Sequence, residues 1–487
     1  MKEVIDGLQP QQLWDHFYEI SQIPRCSKHE EKIREYVIAV AKRNGLEYKV
    51  DRTENVVVKK PASKGLEGKP IVVLQGHLDM VCEKNKEIQH DFSKDPIKLM
   101  RDNGWITADG TTLGSDNGIG VATALAVLEN KTLKHGPLEL LFTMDEETGL
   151  TGATELADDM LEGKILINMD SEEDGAFYIG CAGGKDTEFS LKIETENIPS
   201  GYSAVRVRVG GLQGGHSGLN IHEGRGNAIK LLVRFLWKAA QEMDLLIASI
   251  DGGSKHNAIP RECDAIVYLT SGDLAKVKKM AEQYDKDYKN EYRLTDSGVF
   301  MSIEEDGFEK PDKIFTKNLQ NRVLNMIYSM PHGVLAMSHA VAGLVETSTN
   351  MAVVHIEKDK INMVTSQRSS VQSELMDIAD MVCAVGQLAG AEIHQNNGYP
   401  AWQPNPESKT LKESVEVYKT LFGNKPEVKA IHAGLECGII GDKFPGMDMI
   451  SFGPTITGAH SPDEKIEIKT VDKFWKLLAA ILEKLAR

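Results

Sequence analysis

The spacing of apolar positions changes several times along the chain. Between 11 and 44 they recur at helical intervals on both sides of Pro24, which predicts two helices broken near that proline. Ser27, with Glu30 and Glu31 after it, resembles a capping box at the start of the second. From 71 onward, short unbroken apolar runs alternate with helical stretches. The segments 71–74 (IVVL), 138–144 (LELLFTM) and 165–169 (ILINM) read as strands, and 118–128 (GIGVATALAVL) as a helix buried on most sides. Strands without a polar face suit a sheet covered on both sides, an α/β layer.

After 180–184 (GCAGG) the texture becomes a two-residue alternation, EFSLKIE and AVRVRV, as in a half-exposed antiparallel sheet. A helix follows at 225–243. A second block repeats the theme, with two strands in 351–370 and a helix at 371–388. The turn-rich NNGYPAWQPNP at 396–406 marks a boundary. Beyond it the α/β pattern returns, with a strand at 449–452 and an amphipathic helix at 471–485. Phe474, Leu477, Leu478, Ile481, Leu482 and Leu485 form the packing stripe of that helix. The predicted organisation is an α/β domain in two parts, 1–185 and 396–487, interrupted by an α+β domain at 186–395 with two similar halves.

Length and composition narrow the function. A chain of 487 residues, 41% hydrophobic and 26% charged, is globular and too long for one ordinary domain. A formal net charge of −16 argues against nucleic acid and anionic membrane as partners. No apolar run approaches the length of a membrane span, and the N-terminal MKEVIDGLQP lacks the apolar core of a signal peptide. The six cysteines are scattered without a C-x-x-C pair, so they read as reduced, mostly buried thiols in a cytoplasmic protein.

The chemistry lies where the apolar runs stop. In VVLQGHLDMV a strand ends on His77 and Asp79, which share one face. GSDNGIG puts Asp116 just ahead of the buried helix, MDEETG puts Glu146 and Glu147 after another strand, ILINMD ends on Asp170, and GAHSPDE carries His460. Singly, each has an ordinary reading: a structural His–Asp pair, a helix cap at Asp116, a turn at Asp170, a loop histidine at His460, a solvated charge pair at Glu146 and Glu147. Together they gather two imidazoles and several carboxylates at the carboxyl edge of one sheet, where α/β folds bind ligands. Such a group would repel itself without cations. Mixed nitrogen and oxygen donors suit Zn²⁺, Mn²⁺ or Co²⁺. Two histidines and three carboxylates match a two-metal site with one bridging carboxylate, leaving one acid as general base. A non-catalytic metal or peptide binder would lack that spare acid. A two-metal phosphoesterase would favour more Lys and Arg around these loops.

These five motifs, GHLDMV, GSDNGIG, MDEETG, ILINMDSEED and GAHSPDE, resemble the metal-site motifs of the di-zinc metallopeptidase family of aminoacylases, carboxypeptidase G-type enzymes, carnosine dipeptidases and peptidase T. GGHSGLNIHEGRGNA, KHNAIPRE and SQRSS are most similar to its branch of bacterial dipeptidases that act on Xaa-His substrates. The resemblance implies a two-metal catalytic domain and an inserted lid. His77, Asp116 and Asp170 would hold one ion, and His460, Glu147 and the shared Asp116 the other. Asp79 would orient His77. Glu146 would take the proton of the metal-bridging water and pass it to the leaving amine. From the lid, His216 would stabilise the oxyanion, and Asn257 and Arg368 would contact the substrate carboxylate or backbone. Lid closure would exclude water. The implied cofactors are two divalent ions, Zn²⁺ with Mn²⁺ or Co²⁺ as substitutes, and the implied substrate is a dipeptide such as β-Ala-His. Tripeptidase and N-acyl-amino-acid deacylase are the alternatives within the family. A doubled lid would complete the site in one chain, so a homodimer is compatible but not required. His222, His256 and His432 read as structural, and the loop AGLECG, with Glu436, as a pocket wall.

Overall fold

The unbroken apolar runs form the middle of a sheet. In the computed structural model, which describes residues 2–487, the chain divides into two units. The first comprises the chain up to Cys181, Pro404–Ala430 and Leu435–Arg487, and the second comprises Ala182–Gln403 and Ile431–Gly434.

In the first unit, an eight-stranded sheet has the spatial order Glu47–Val50, Val56–Lys60, Leu138–Thr143, Val72–His77, Ile165–Asn168, Asp448–Ser451, Ala176–Cys181, Glu427–Ile431. Its central strands, from Leu138–Thr143 to Asp448–Ser451, are parallel. Every residue of Val72–His77 and Leu138–Thr143 is buried, which is why these segments lack a polar face. The register sets His77 beside Thr143, Gln75 beside Asn168 and Asn168 beside Ser451. His77, Glu146, Glu147 and Asp170, which end or follow these parallel strands, therefore leave from one edge.

The helix Ser115–Glu129 is buried from Asn117 to Leu128. Gly76 exists for its sake: a Cβ there would stand 2.3 Å from Asn117 Oδ1, which leaves room for no side chain. The closing helix, Ile468–Leu485, buries Phe474, Leu477, Leu478, Ile481 and Leu482 as its stripe predicts.

Two expectations fail in this unit. The helices Gln11–Ser21 and Glu31–Arg43 flank Pro24, but Ser27 does not cap the second. Its Oγ instead donates to Asp79 Oδ2 at 2.7 Å. The cysteines are not all free thiols. Cys26 and Cys82 form a disulfide with Cα atoms 5.7 Å apart. Cys26 bridges Met80 in parallel, which brings together two residues 56 positions apart, a pairing that sequence spacing does not reveal. Cys181, Cys263, Cys383 and Cys437 are in no disulfide among the described residues.

The second unit is built on a nine-stranded sheet. Its order is Phe300–Glu304, Tyr202–Gly210, Cys263–Thr270, Leu246–Gly252, Val345–Glu357, Lys360–Ser369, Gly183–Lys192, Glu392–Gln395, with Gly333–Met337 also against Val345–Glu357. The halves meet at a single register pair, Gly252 with Val354. One apolar cluster nevertheless runs under both, including Val207, Leu232 and Phe235 on one side and Val323, Met363 and Val382 on the other. The expected helices appear as Ala228–Glu242 and Gln372–Ala389. Two further helices, Ser271–Glu291 and Lys317–Ser329, were not anticipated. The first buries only Val277, Ala281 and Tyr288 in 21 residues, too thin a stripe to announce itself. Among the described residues, no helix is long and apolar enough to cross a membrane.

Candidate metal centre

The strand Val72–His77 ends by turning His77 into a group of carboxylates. Its Nε2 lies 3.1 Å from Asp116 Oδ1 and 3.4 Å from Asp170 Oδ1. The other oxygen of Asp116, Oδ2, lies 3.1 Å from His460 Nε2, and His460 Nε2 is 3.0 Å from Glu147 Oε2. Asp116 thus offers one oxygen to each imidazole. Potential ligand atoms of His77, Asp116 and Asp170 lie within 4.8 Å of one another, as do those of Asp116, Glu147 and His460. A third such grouping joins His77 to Glu146 and Glu147, which sets Glu146 beside both sets.

The donor set fits divalent ions. Asp170 Oδ1 and Glu147 Oε1 are buried with no hydrogen-bond partner among the described residues. Unpaired buried carboxylate oxygens are costly unless a cation or proton meets them. The electrostatics of the cluster favours a proton wherever no cation meets these oxygens. Burial opposes a charged His77, yet Asp170, Asp116 and Asp79 raise its pKa well above the ordinary value. Hydrogen bonds that Asp116 and Glu147 accept from its ring lift His460 to about 11. Burial pushes Asp170 and Glu146 well up, helped by neighbouring acids and opposed by His77. Binding of cations would displace these protons.

The surrounding residues fix the ligands. Asp79 Oδ1 is 3.3 Å from His77 Nδ1, though without hydrogen-bond geometry. The same carboxylate accepts the backbone N–H groups of Glu146 at 3.0 Å and Glu147 at 3.2 Å. It therefore positions the imidazole and the start of the short helix Glu146–Gly149 together. Asp79 also belongs to a buried acidic trio with Glu30 and Asp145. That trio is satisfied internally: Glu30 accepts from the Asp145 N–H, and Asp145 from Thr148 and Thr151.

Two buried residues that sequence reasoning missed hold the Asp116 loop. Glu464 accepts N–H groups of Leu113 (2.8 Å), Gly114 (2.9 Å) and Ser115 (2.7 Å) and the Ser115 hydroxyl (2.6 Å). Arg25 donates to the carbonyls of Leu78 (2.9 Å), Asp79 (2.6 Å) and Gly114. The position of Glu464 in SPDE, four residues after His460, was the available signal. Glu436 is fully enclosed rather than lining a wall. It accepts from Gln75 Nε2 at 2.5 Å and Thr143 Oγ1 at 2.8 Å, and burial pushes it up to about 7.

The other candidates lie in the second unit. His216 pairs with Ala258 across a two-stranded ladder, next to Asn257, whose carbonyl accepts the Ser217 N–H at 2.9 Å. Burial, with Arg368 and His256 adding to it, lowers His216 to about 4, so the ring is neutral. Its Nδ1 accepts N–H groups of Gly218 (3.2 Å) and Leu219 (3.1 Å), which assigns the remaining proton to Nε2. Arg368 is only 7% exposed. Its Nη1 donates to the Tyr399 hydroxyl at 2.8 Å, and its Nε has no partner. Of the remaining histidines, His256 pairs with Asp186 at 2.9 Å, and the buried His432 is 2.7 Å from Ser348 Oγ.

Comparisons with known proteins bear on the family of the chain. Residues 73–484 match the model of peptidase family M20/M25/M40. The cytosol non-specific dipeptidase of Escherichia coli (strain K12) is 42% identical over 481 residues, 99% of this chain and 99% of that one. The crystal structure of aminoacylhistidine dipeptidase from Vibrio alginolyticus superposes with a TM-score of 0.92 at 44% identity, covering 98% of this chain and 97% of that one. Aminopeptidase PepT from Bacillus cereus ATCC 10987, at 16% identity and a TM-score of 0.57 over 99% and 100% of the two chains, shares the fold alone. With the family model matching most of its length and a relative aligned from end to end, the chain belongs to peptidase family M20/M25/M40.

Proposed function

We propose that the protein is a metal-dependent dipeptidase that hydrolyses the single peptide bond of dipeptides, Xaa-His substrates such as β-Ala-His among them. The observation that carries this reading is Asp116, whose two oxygens each face a different histidine at 3.1 Å, with Glu146 beside both ligand groups. The two similar proteins, a non-specific dipeptidase and an aminoacylhistidine dipeptidase, support the substrate class.

In this reading His77, Asp116 and Asp170 hold one divalent ion, and Asp116, Glu147 and His460 the other. Zn²⁺ suits the mixed donors, with Mn²⁺ or Co²⁺ as substitutes. Such ions supply Lewis-acid charge to the scissile carbonyl and acidify the attacking water. Glu146 takes that water's proton and delivers it to the departing amine. Asp79 keeps His77 and the Glu146 backbone in register. His216, neutral with its proton on Nε2, donates to the oxyanion. Arg368 grips the substrate's free carboxylate, with Asn257 on the substrate backbone. Residues 186–395 act as a lid over a catalytic domain formed by 1–185 and 396–487. A homodimer is compatible with this reading. The expected compartment is the cytoplasm.

The test is a set of initial rates with Zn²⁺-, Mn²⁺- or Co²⁺-loaded protein on β-Ala-His, Ala-Leu, Ala-Ala-Ala and N-acetyl-alanine, each with a chelator control. Chelator-sensitive cleavage restricted to the dipeptides is the expected result. Cleavage of only the tripeptide or only the acetyl compound would move the protein to another branch of the family.

A further inference from the structure

Three loops that stand out in the sequence, GCAGG, NNGYPAW and AGLECG, meet at one aromatic ring. Tyr399 and Gly184 exchange two backbone hydrogen bonds, Gly184 N–H to Tyr399 O at 3.0 Å and Tyr399 N–H to Gly184 O at 2.9 Å. Glycines form the walls of the ring's slot. A Cβ on Gly184 would stand 2.5 Å from Tyr399 Cζ, and one on Gly434 would stand 2.7 Å from Cε2. Gly398 turns the chain with φ +69°, and a Cβ there would meet the Gly184 carbonyl at 2.3 Å. Any side chain at these positions would displace the ring or its backbone. The slot brings the phenol to Arg368, which lies directly across the register from Gly184 and donates its Nη1 to Tyr399 Oη at 2.8 Å.

The partner's chemistry is informative. A buried guanidinium usually has a carboxylate beside it. Among the described residues none lies within 4.0 Å of Arg368, and its Nε donor is unused and buried. Asp186, the nearby acid in its field, is occupied by His256 at 2.9 Å. A phenol can fix the plane of a guanidinium without neutralising it, which an acid could not do. An arginine has much rotamer entropy to lose, so fixing it in advance favours a ligand that binds the fork in one geometry.

We propose that Tyr399 is a positioning residue that holds Arg368 oriented and uncompensated for the free carboxylate of the substrate, and so enforces selection for chains that end one residue after the scissile bond. The inference rests on the assignment of Arg368 to that carboxylate in the proposed function. Tyr399 itself does not touch the reacting atoms.

The experiment compares wild type and Tyr399→Phe, both metal-loaded, on Ala-Leu and on Ala-Leu C-terminal amide, with metal content and thermal melting recorded. Phenylalanine keeps the ring in its slot and removes only the acceptor. Wild type is expected to prefer the free acid strongly. The variant is expected to raise KM for the acid about tenfold, the effect of one hydrogen bond to a charged group, with kcat little changed. Its kcat/KM for the amide should equal that of wild type, so the acid-over-amide preference shrinks by the same factor. A merely structural role would impair both substrates alike, and that result overturns the proposal. An unchanged preference in the variant overturns it as well, while leaving Arg368 in place. Equal treatment of acid and amide by wild type would instead remove the carboxylate assignment of Arg368, and the inference with it.

Discussion

At the scale of single residues, the site separates groups by what burial does to their charge. Glu146 and Glu147 are neighbours in sequence with different surroundings: Glu147 faces His460 at 3.0 Å, while burial and nearby acids drive Glu146 towards its neutral form in the ion-free cluster. Glu146→Gln should therefore keep both ions, measured by metal analysis, and lose about 10²–10⁴-fold in kcat, the usual worth of a general base. Near-normal turnover would take Glu146 out of that role. His432 gives a pH prediction that does not involve the metal. Burial, with Arg368 and His222 contributing, lowers it to about 3, against about 6.5 when unfolded. Below pH 6.5 the unfolded chain binds a proton that the folded chain refuses. Stability present at neutral pH is thus lost as pH falls from 6.5 towards 3, by about 1.4 kcal/mol per unit. Denaturant midpoints measured from pH 7 to 4 should fall more gently for His432→Gln, which carries no such group. Identical slopes would contradict the reading.

At the scale of elements, what the sequence made legible was whatever lies next to an unbroken apolar run. His77, Glu146, Glu147 and Asp170 follow strands that are buried almost throughout, and a polar group emerging from such a strand needs a reason to be there. The alternation at 186–209 and 351–370 likewise anticipated strands of an antiparallel sheet, but not their grouping, since Gly183–Lys192 pairs with Lys360–Ser369 and not with Tyr202–Gly210. Pairings between distant loops stayed hidden, because no local pattern encodes them. Glu464 meets Leu113 across 351 positions, Ser27 meets Asp79 across 52, and Cys26 joins Cys82. Thiol titration of the unfolded, unreduced protein should find four reactive groups, rising to six after reduction. Replacing Cys26 and Cys82 with serine should lower stability by about 2–4 kcal/mol, read as a shift in denaturant midpoint. Six thiols before reduction would mean the pair is open in solution. A reducing cytoplasm works against such a bond, so this titration also bears on the compartment.

At the scale of the whole molecule, the two units differ in what holds them together. The first gathers buried acids that want cations, while the second has a broad apolar cluster and no comparable acidic group among the described residues. Chelation should therefore destabilise the first unit selectively. In calorimetry a metal-loaded sample should lose stability on chelation, by about 2.7 kcal/mol if the ions were held at a hundredfold excess over Kd. Hydrogen exchange should quicken in Val72–His77 and Leu138–Thr143 but not in Tyr202–Gly210 or Cys263–Thr270. Uniform loosening of both units would contradict that division. The chain crosses between the units at residues 181, 403, 430 and 434, and the strand Asp448–Ser451 lies inside the first sheet, between Ile165–Asn168 and Ala176–Cys181. The first unit cannot close on the ribosome until nearly the whole chain has emerged, whereas the strands of the second sheet end at Gln395. Nascent protein must carry the raw edges of Ile165–Asn168 and Ala176–Cys181 through about half of translation, until Asp448–Ser451 emerges, when aggregation and holdase capture compete with folding.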